Sequence, residues 1–266
     1  MRRGVDRIAE CFDRAQDGVL NIYVTAGYPH AEALPELLLE LQNQGVDMVE
    51  VGFPFSDPLA DGPVIQKSSQ KALEEGMTVR KAVEQLASVR SQLRIPVIGM
   101  AYFNQIMQYG SLKFLEDAAK AGFDGLIIPD LPPSVYRKEL EAEFDRLGLG
   151  ISFLISPQSS AKRVKELDSL SRGFLYMVAD YSVTGASLNV GEKQKAYYDR
   201  INQLGLENPK LIGFGVSTRS NFEDCCAHAQ GAIIGSAFIQ SLKADDLKGS
   251  VEAFVQEIRP HSFINQ

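Results

Sequence analysis

Glu50 and the decapeptide Pro54-Phe55-Ser56-Asp57-Pro58-Leu59-Ala60-Asp61-Gly62-Pro63 hold the side chains of this chain best suited to chemistry. Glu50 lies in Asp47-Met48-Val49-Glu50-Val51-Gly52-Phe53, a short apolar run that reads as a buried strand. Side chains alternate between the faces of a strand, so with Val49 and Val51 on one face Glu50 takes the other. A carboxylate among apolar neighbours costs free energy and is seldom fully buried without a partner. The bland alternative is a solvated acid at a fraying strand end. Two further acids, Asp57 and Asp61, weigh against it, because they sit on a Pro- and Gly-stiffened loop leaving the same strand. Several carboxylates on a rigid loop after a buried strand are the equipment of acid–base catalysis.

The elements that must position these groups follow a regular order. Short apolar runs recur at 20–25, 48–52, 95–101, 125–129, 150–155, 174–178, 211–214 and 232–235, most of them with β-branched content. Between them, segments 31–44, 79–92, 112–121, 135–147 and 194–204 carry apolar residues at spacings of three and four, the helix period. Strict alternation predicts a parallel sheet, and a count of eight favours a closed (β/α)8 TIM barrel over an open sheet. Residues 6–15 predict an extra N-terminal helix under the barrel. No linker or low-complexity tract interrupts the pattern, so residues 1–266 are expected to form a single domain. An open dinucleotide-binding sheet would want Gly-x-Gly-x-x-Gly after an early strand. The nearest approach, Gly213-Phe214-Gly215-Val216-Ser217-Thr218, comes late and lacks the third glycine.

Barrel enzymes build their sites at the carboxyl ends of the strands. Those ends offer Glu50, Asp57 and Asp61, then Tyr102, Asn104 and Asp130, then Tyr176 and Asp180. The last two offer Gly213, Gly215, Gly235 and Ser236, and the loops after strands seven and eight are the usual phosphate site of this fold. Glycine lets backbone N–H groups approach an anion closely, although tight turns alone would also account for these glycines. None of these strand ends supplies a Lys for an imine mechanism. His30, His228 and His261 are too scattered for a multi-histidine metal site. The expectation is acid–base chemistry on a phosphorylated substrate, with neither metal nor cofactor in this chain.

The run Val49-Glu50-Val51-Gly52-Phe53-Pro54-Phe55-Ser56-Asp57-Pro58-Leu59-Ala60-Asp61-Gly62-Pro63 strongly resembles the signature of the tryptophan synthase alpha chain family. Supporting matches run through the chain: Val24-Thr25-Ala26-Gly27-Tyr28-Pro29, Tyr102-Phe103-Asn104, Pro129-Asp130-Leu131-Pro132, Val183-Thr184-Gly185 and Gly235-Ser236-Ala237. The resemblance implies a barrel lyase that cleaves indole-3-glycerol phosphate to indole and glyceraldehyde 3-phosphate. It also implies an alpha2beta2 tetramer with a beta chain, where pyridoxal phosphate joins indole to serine. Catalysis falls by that resemblance to Glu50 and Asp61. Tyr176 matches a support for the carboxylates, Tyr102 a pocket wall with Tyr23 nearby, and Thr184 a loop residue closing over Asp61. Gly185, Gly213, Gly215, Gly235 and Ser236 match phosphate-binding positions. Asp61, just before Gly62-Pro63, also has the place of an ordinary helix cap. One departure stands out: where the family often has Arg at the root of the sixth loop, this chain has Asp180.

Composition narrows the classes of partner and compartment. A net charge of −7 without basic clusters argues against nucleic acid or an anionic membrane as partner. No apolar run approaches the ~20 residues of a membrane span, and the first residues lack the apolar core of a secretory signal. Cys11, Cys225 and Cys226, an odd set with two adjacent, fit the cytoplasm better than a disulfide framework. A stand-alone indole-releasing lyase and an inactive regulatory subunit are the rival readings. A sugar-phosphate isomerase is a weaker one, for want of Lys and His at the strand ends.

Overall fold

The computed structural model describes residues 3–179, 192–213 and 215–260. Nine parallel strand segments form one sheet in the order β5-β4-β3-β2-β1-β9-β8-β7-β6. They are β1 (Val19–Thr25), β2 (Met48–Gly52), β3 (Val97–Met100), β4 (Gly125–Ile127), β5 (Gly150–Ser152), β6 (Leu154–Ile155), β7 (Leu175–Val178), β8 (Lys210–Gly213) and β9 (Gly231–Ile234). The two ends of that order, β5 and β6, are consecutive in the chain and separated by Phe153 alone. Together they are the single strand expected over 150–155, and through them the sheet closes into a TIM barrel. Its first half pairs with β4, Gly125 opposite Gly150, and its second half with β7, Leu154 opposite Tyr176. The offset follows from the stagger that closing a barrel requires.

Around the sheet run α1 (Gly4–Arg14), α2 (Ala33–Asn43), α3 (Pro63–Glu74), α4 (Val79–Val89), α5 (Phe103–Tyr109) and α6 (Ser111–Ala121). Then come α7 (Pro133–Val135), α8 (Glu141–Leu147), α9 (Ala161–Leu170), α10 (Glu192–Asn202), α11 (Arg219–Cys226), α12 (Ser236–Ser241) and α13 (Leu247–Ile258). Side-chain caps mark several starts: Thr78 accepts from the Lys81 amide, Ser160 from Arg163 and Thr218 from Asn221. The helix expected over 135–147 is interrupted by a π-helical stretch, Tyr136–Leu140, between α7 and α8.

The expected N-terminal helix is α1, and it lies beneath the barrel. Its Val5 amide donates to Gly148 O at 3.2 Å, and a Cβ on Gly4 would stand 2.2 Å from the carbonyl oxygen of Asp124, the residue that leads into β4. Asp124 anchors this end. Its fully buried carboxylate accepts from Arg7 Nε at 2.5 Å, Arg90 Nη2 at 3.3 Å and the Val97 amide at 2.8 Å. At the opposite end the sheet register brings inward-facing residues level with one another: Tyr23 pairs with Glu50 and Glu50 with Ile98, while Leu154 pairs with Tyr176.

Candidate active site

The carboxyl ends of the strands enclose a cavity of about 320 Å³. Tyr23, Glu50, Met100, Ile127, Leu154, Tyr176 and Ile233 reach it from the inner faces of the strands. Asp61, Gly62 and Ile65 come from the loop and helix after β2, and Gly215, Ser217, Gly235, Ser236 and Gln240 from the segments after β8 and β9. Apolar side chains, the acids Glu50 and Asp61, and the glycines and serines after β8 and β9 share its wall.

Glu50 is 1% exposed, with its inward direction fixed by the alternation along β2. Its Oε2 has no hydrogen-bond partner among the described residues. Burial, reinforced by the nearby charge of Asp61, pushes its carboxyl up to about 8. A group of that proton affinity is mostly protonated at neutral pH and is a competent acid there.

Asp61 stands just before Gly62, the residue that caps α3, with Pro63 in the first turn. It is half-buried, and burial raises its carboxyl to about 6, a rise opposed by a hydrogen bond from Tyr102. Tyr102 Oη donates to Asp61 Oδ2 at 2.9 Å while accepting from the Ala60 amide at 2.9 Å. The ring of Phe55 stacks on Tyr102 with centroids 5.1 Å apart. Gln105 ties the arrangement down, accepting from the Tyr102 amide at 3.1 Å and donating to Pro54 O at 2.8 Å. Asp61 is therefore held in place by Tyr102, whose hydroxyl touches two residues of the cavity wall, Ala60 and Asp61. Two carboxyls whose environments set their proton affinities apart can divide the roles of acid and base.

The glycines separate into two kinds. A Cβ on Gly213 would stand 2.2 Å from Tyr176 Oη, and one on Gly52 would stand 2.0 Å from Tyr23 Oη. Both clear space for tyrosine rings that line the cavity, so the part Gly213 plays in the geometry is to seat Tyr176. Gly215, with φ of +76°, and Gly235 lie on the wall itself beside Ser236. Thr184 and Gly185, like Asp180, lie outside the described residues. Of the other acids at the strand ends, Asp57 is exposed beside Ser56, and Asp130 accepts from the Phe103 amide at 2.8 Å at the start of α5. Neither reaches the cavity wall. The sequence reading missed Ile65, Met100, Ile127, Leu154, Ile233, Ser217 and Gln240. The apolar strand residues could have been found from inner-face alternation, whereas Gln240, a turn into a six-residue helix, carries no comparable signal.

A parallel barrel whose carboxyl-end cavity holds a buried Glu50 and a half-buried Asp61, with glycines and serines sharing the wall, has the layout of a barrel enzyme. The family model described as tryptophan synthase alpha chain matches residues 11–262. The chain is 47% identical over 241 residues to the tryptophan synthase alpha chain of Flavobacterium johnsoniae, covering 91% of this chain and 95% of that one. It is 47% identical to that of Christiangramia forsetii, covering 91% and 94%. Among solved structures, tryptophan synthase subunit alpha from Legionella pneumophila superposes with a TM-score of 0.86 at 30% identity, covering 97% of this chain and 98% of that one. A chain of Mycobacterium tuberculosis tryptophan synthase gives 0.85 at 30%, covering 95% and 96%. The chain belongs to the tryptophan synthase alpha chain family, and with it to the lyases of tryptophan synthesis.

Proposed function

We propose that the chain cleaves indole-3-glycerol phosphate to indole and glyceraldehyde 3-phosphate, and that Glu50 and Asp61 perform the proton transfers. The observation that carries this reading is the carboxyl pair in one cavity, Glu50 raised to about 8 and Asp61 to about 6. Near neutral pH the first is protonated and the second ionised, the pairing a retro-aldol cleavage of an indole needs.

Carbon C3 of the indole must gain a proton before its bond to the glycerol chain can break. Glu50 supplies it. Positive charge then develops at the ring nitrogen, where the Asp61 carboxylate stabilises it and can accept the N–H proton, returning it as the C–C bond breaks. Glu50, now ionised, removes the proton of the glycerol hydroxyl. As the carbonyl forms, the electron pair of the breaking C–C bond returns to the ring, so indole and the aldehyde separate and Glu50 regains its proton. Met100, Ile127, Leu154 and Ile233 offer the apolar surface for an indole ring. Gly215, Gly235, Ser217 and Ser236 offer a rim for the phosphate, held by backbone N–H groups and hydroxyls. No step calls for a metal or cofactor in this chain, and activity is expected to survive chelation and dialysis.

The reading extends to a beta chain as partner, in an alpha2beta2 tetramer that passes indole to a pyridoxal phosphate site, within the cytoplasm. Exposed apolar side chains on the site end of the barrel support a docking face there: Leu59, at 93% exposed, on the loop that carries Asp61, and Met107 and Leu112 around the α5–α6 junction. Purified chain incubated with indole-3-glycerol phosphate, alone and with a beta chain, should release indole in both cases and faster with the partner. Release unaffected by any beta chain would favour a stand-alone lyase, and no release in either case would leave a regulatory subunit.

A further inference from the structure

The cavity has an uncommon charge composition for an anion site. Two carboxylates, Glu50 and Asp61, stand among the described residues on its wall, and no Lys or Arg does. Residues 180–191, which follow the strand bearing Tyr176, contain no Lys, Arg or His, and they begin with Asp180. Among the described residues, the titratable groups that face Glu50 are Tyr23 from β1, Asp61 from the loop after β2 and Tyr176 from β7, with Tyr102 hydrogen-bonded to Asp61. All are neutral or negative. The donors left for a phosphate are uncharged: Ser217, Ser236, Gln240 and backbone amides.

A phosphate dianion brought into this space meets one or two carboxylates and no compensating cation among the described residues. A like charge close by disfavours the ionised form of a carboxyl. Glu50 is the group that must respond, because it is buried and its Oε2 has no donor among the described residues to hold a negative charge. We infer that binding a phosphate ester at this site takes up a proton onto Glu50, so that the neutral-Glu50 form binds the ester and the ionised form repels it. This rests on the reading of the cavity as a phosphate-ester site. It also gives the charge pattern a use: the substrate's own anion keeps the acid that C3 requires protonated to higher pH.

The test is calorimetric titration of glycerol 3-phosphate into the full chain at about pH 8.5, where its phosphate is already a dianion, since phosphate monoesters have a second pKa of about 6. Repeating the titration in buffers of different ionisation enthalpy counts the protons exchanged. Uptake of about half to one proton per ester is expected, with Kd weakening up to about tenfold per pH unit above that point. Glu50→Gln should bind with no uptake and a flat Kd over the same range. Binding to the wild type without proton exchange, or undiminished uptake in a folded Glu50→Gln protein, would overturn the inference while leaving the phosphate site intact. Absence of binding by either protein would overturn both. The wild-type proton count decides the matter by itself if the variant does not fold.

Discussion

At the scale of single residues, function and stability pull Glu50 in opposite directions. Its folded value near 8 stands above the reference of 4.5, so its contribution to stability is fully present below about pH 4.5 and is lost as pH rises through 8. Over that window the shift amounts to roughly 3–5 kcal/mol for so buried a group. Glu50→Gln should therefore be more stable than the wild type at about pH 9 by an amount of that order, with the gap closing toward pH 4.5. Urea unfolding at the two pH values checks it, and a variant less stable at the high pH would contradict the assigned burial cost. Tyr102→Phe removes the donor that opposes the rise at Asp61. Turnover at neutral pH should fall about tenfold, because a hydrogen bond to a charged group is worth about 1.5–3 kcal/mol. The rising limb of its pH–rate profile should move upward, which a merely structural loss would not cause. Glu50 was legible in the sequence because Val49 and Val51 fix its face. The partnership of Tyr102 with Asp61 was not, since the two are 41 residues apart and meet only when the loop folds back over the end of β3.

The elements show why a glycine's reason is harder to read than its presence. Gly213 and Gly235 both end barrel strands, and the sequence treats them alike. In the structure, a methyl on Gly213 would collide with Tyr176 Oη at 2.2 Å, whereas one on Gly235 would meet Tyr23 Cβ at an ordinary 3.5 Å. Gly213→Ala should displace Tyr176 and lower kcat and kcat/KM together, while Gly235→Ala should chiefly raise KM, by a smaller factor. Steady-state kinetics on the two variants, with circular dichroism as a folding check, separates them; equal effects would undo the distinction. Strand 48–52 emerges with the bounds its apolar run suggested. The run 150–155 divides because its halves pair with different neighbours, and the helix expected over 135–147 gives way to a π stretch at Tyr136–Leu140. Periodicity registers which residues are buried, not which strand they pair with or how a turn is wound.

Across the whole molecule, the two ends of the barrel are specialised. The amino end is closed by α1 and by Asp124 with Arg7 and Arg90, a cluster far from the cavity. Burial raises the Asp124 carboxyl even though both guanidiniums act against the rise. Asp124, unlike Glu50, is paired with two guanidiniums, so Asp124→Asn should destabilise by a few kcal/mol, about 3 in order of magnitude, by leaving two arginines short of their partner. The urea midpoint should fall while KM holds, and an unchanged midpoint would show the cluster to be dispensable. The eight-fold alternation made the barrel legible in the sequence, and the helix over 6–15 was legible too; the Asp124 cluster was not, because it joins residues 117 and 34 positions apart. The carboxyl end carries the central claim, that Glu50 and Asp61 divide the proton transfers of a lyase. Its most direct test is the pH dependence of kcat/KM for indole release from indole-3-glycerol phosphate, measured for the wild type and Glu50→Gln. The account predicts a bell for the wild type, rising as Asp61 ionises near 6 and falling as Glu50 loses its proton near 8. It predicts at least about a hundredfold loss in the variant, the usual worth of general acid–base catalysis. A profile flat across that interval, or a Glu50→Gln protein retaining more than about a hundredth of the wild-type rate, would contradict it.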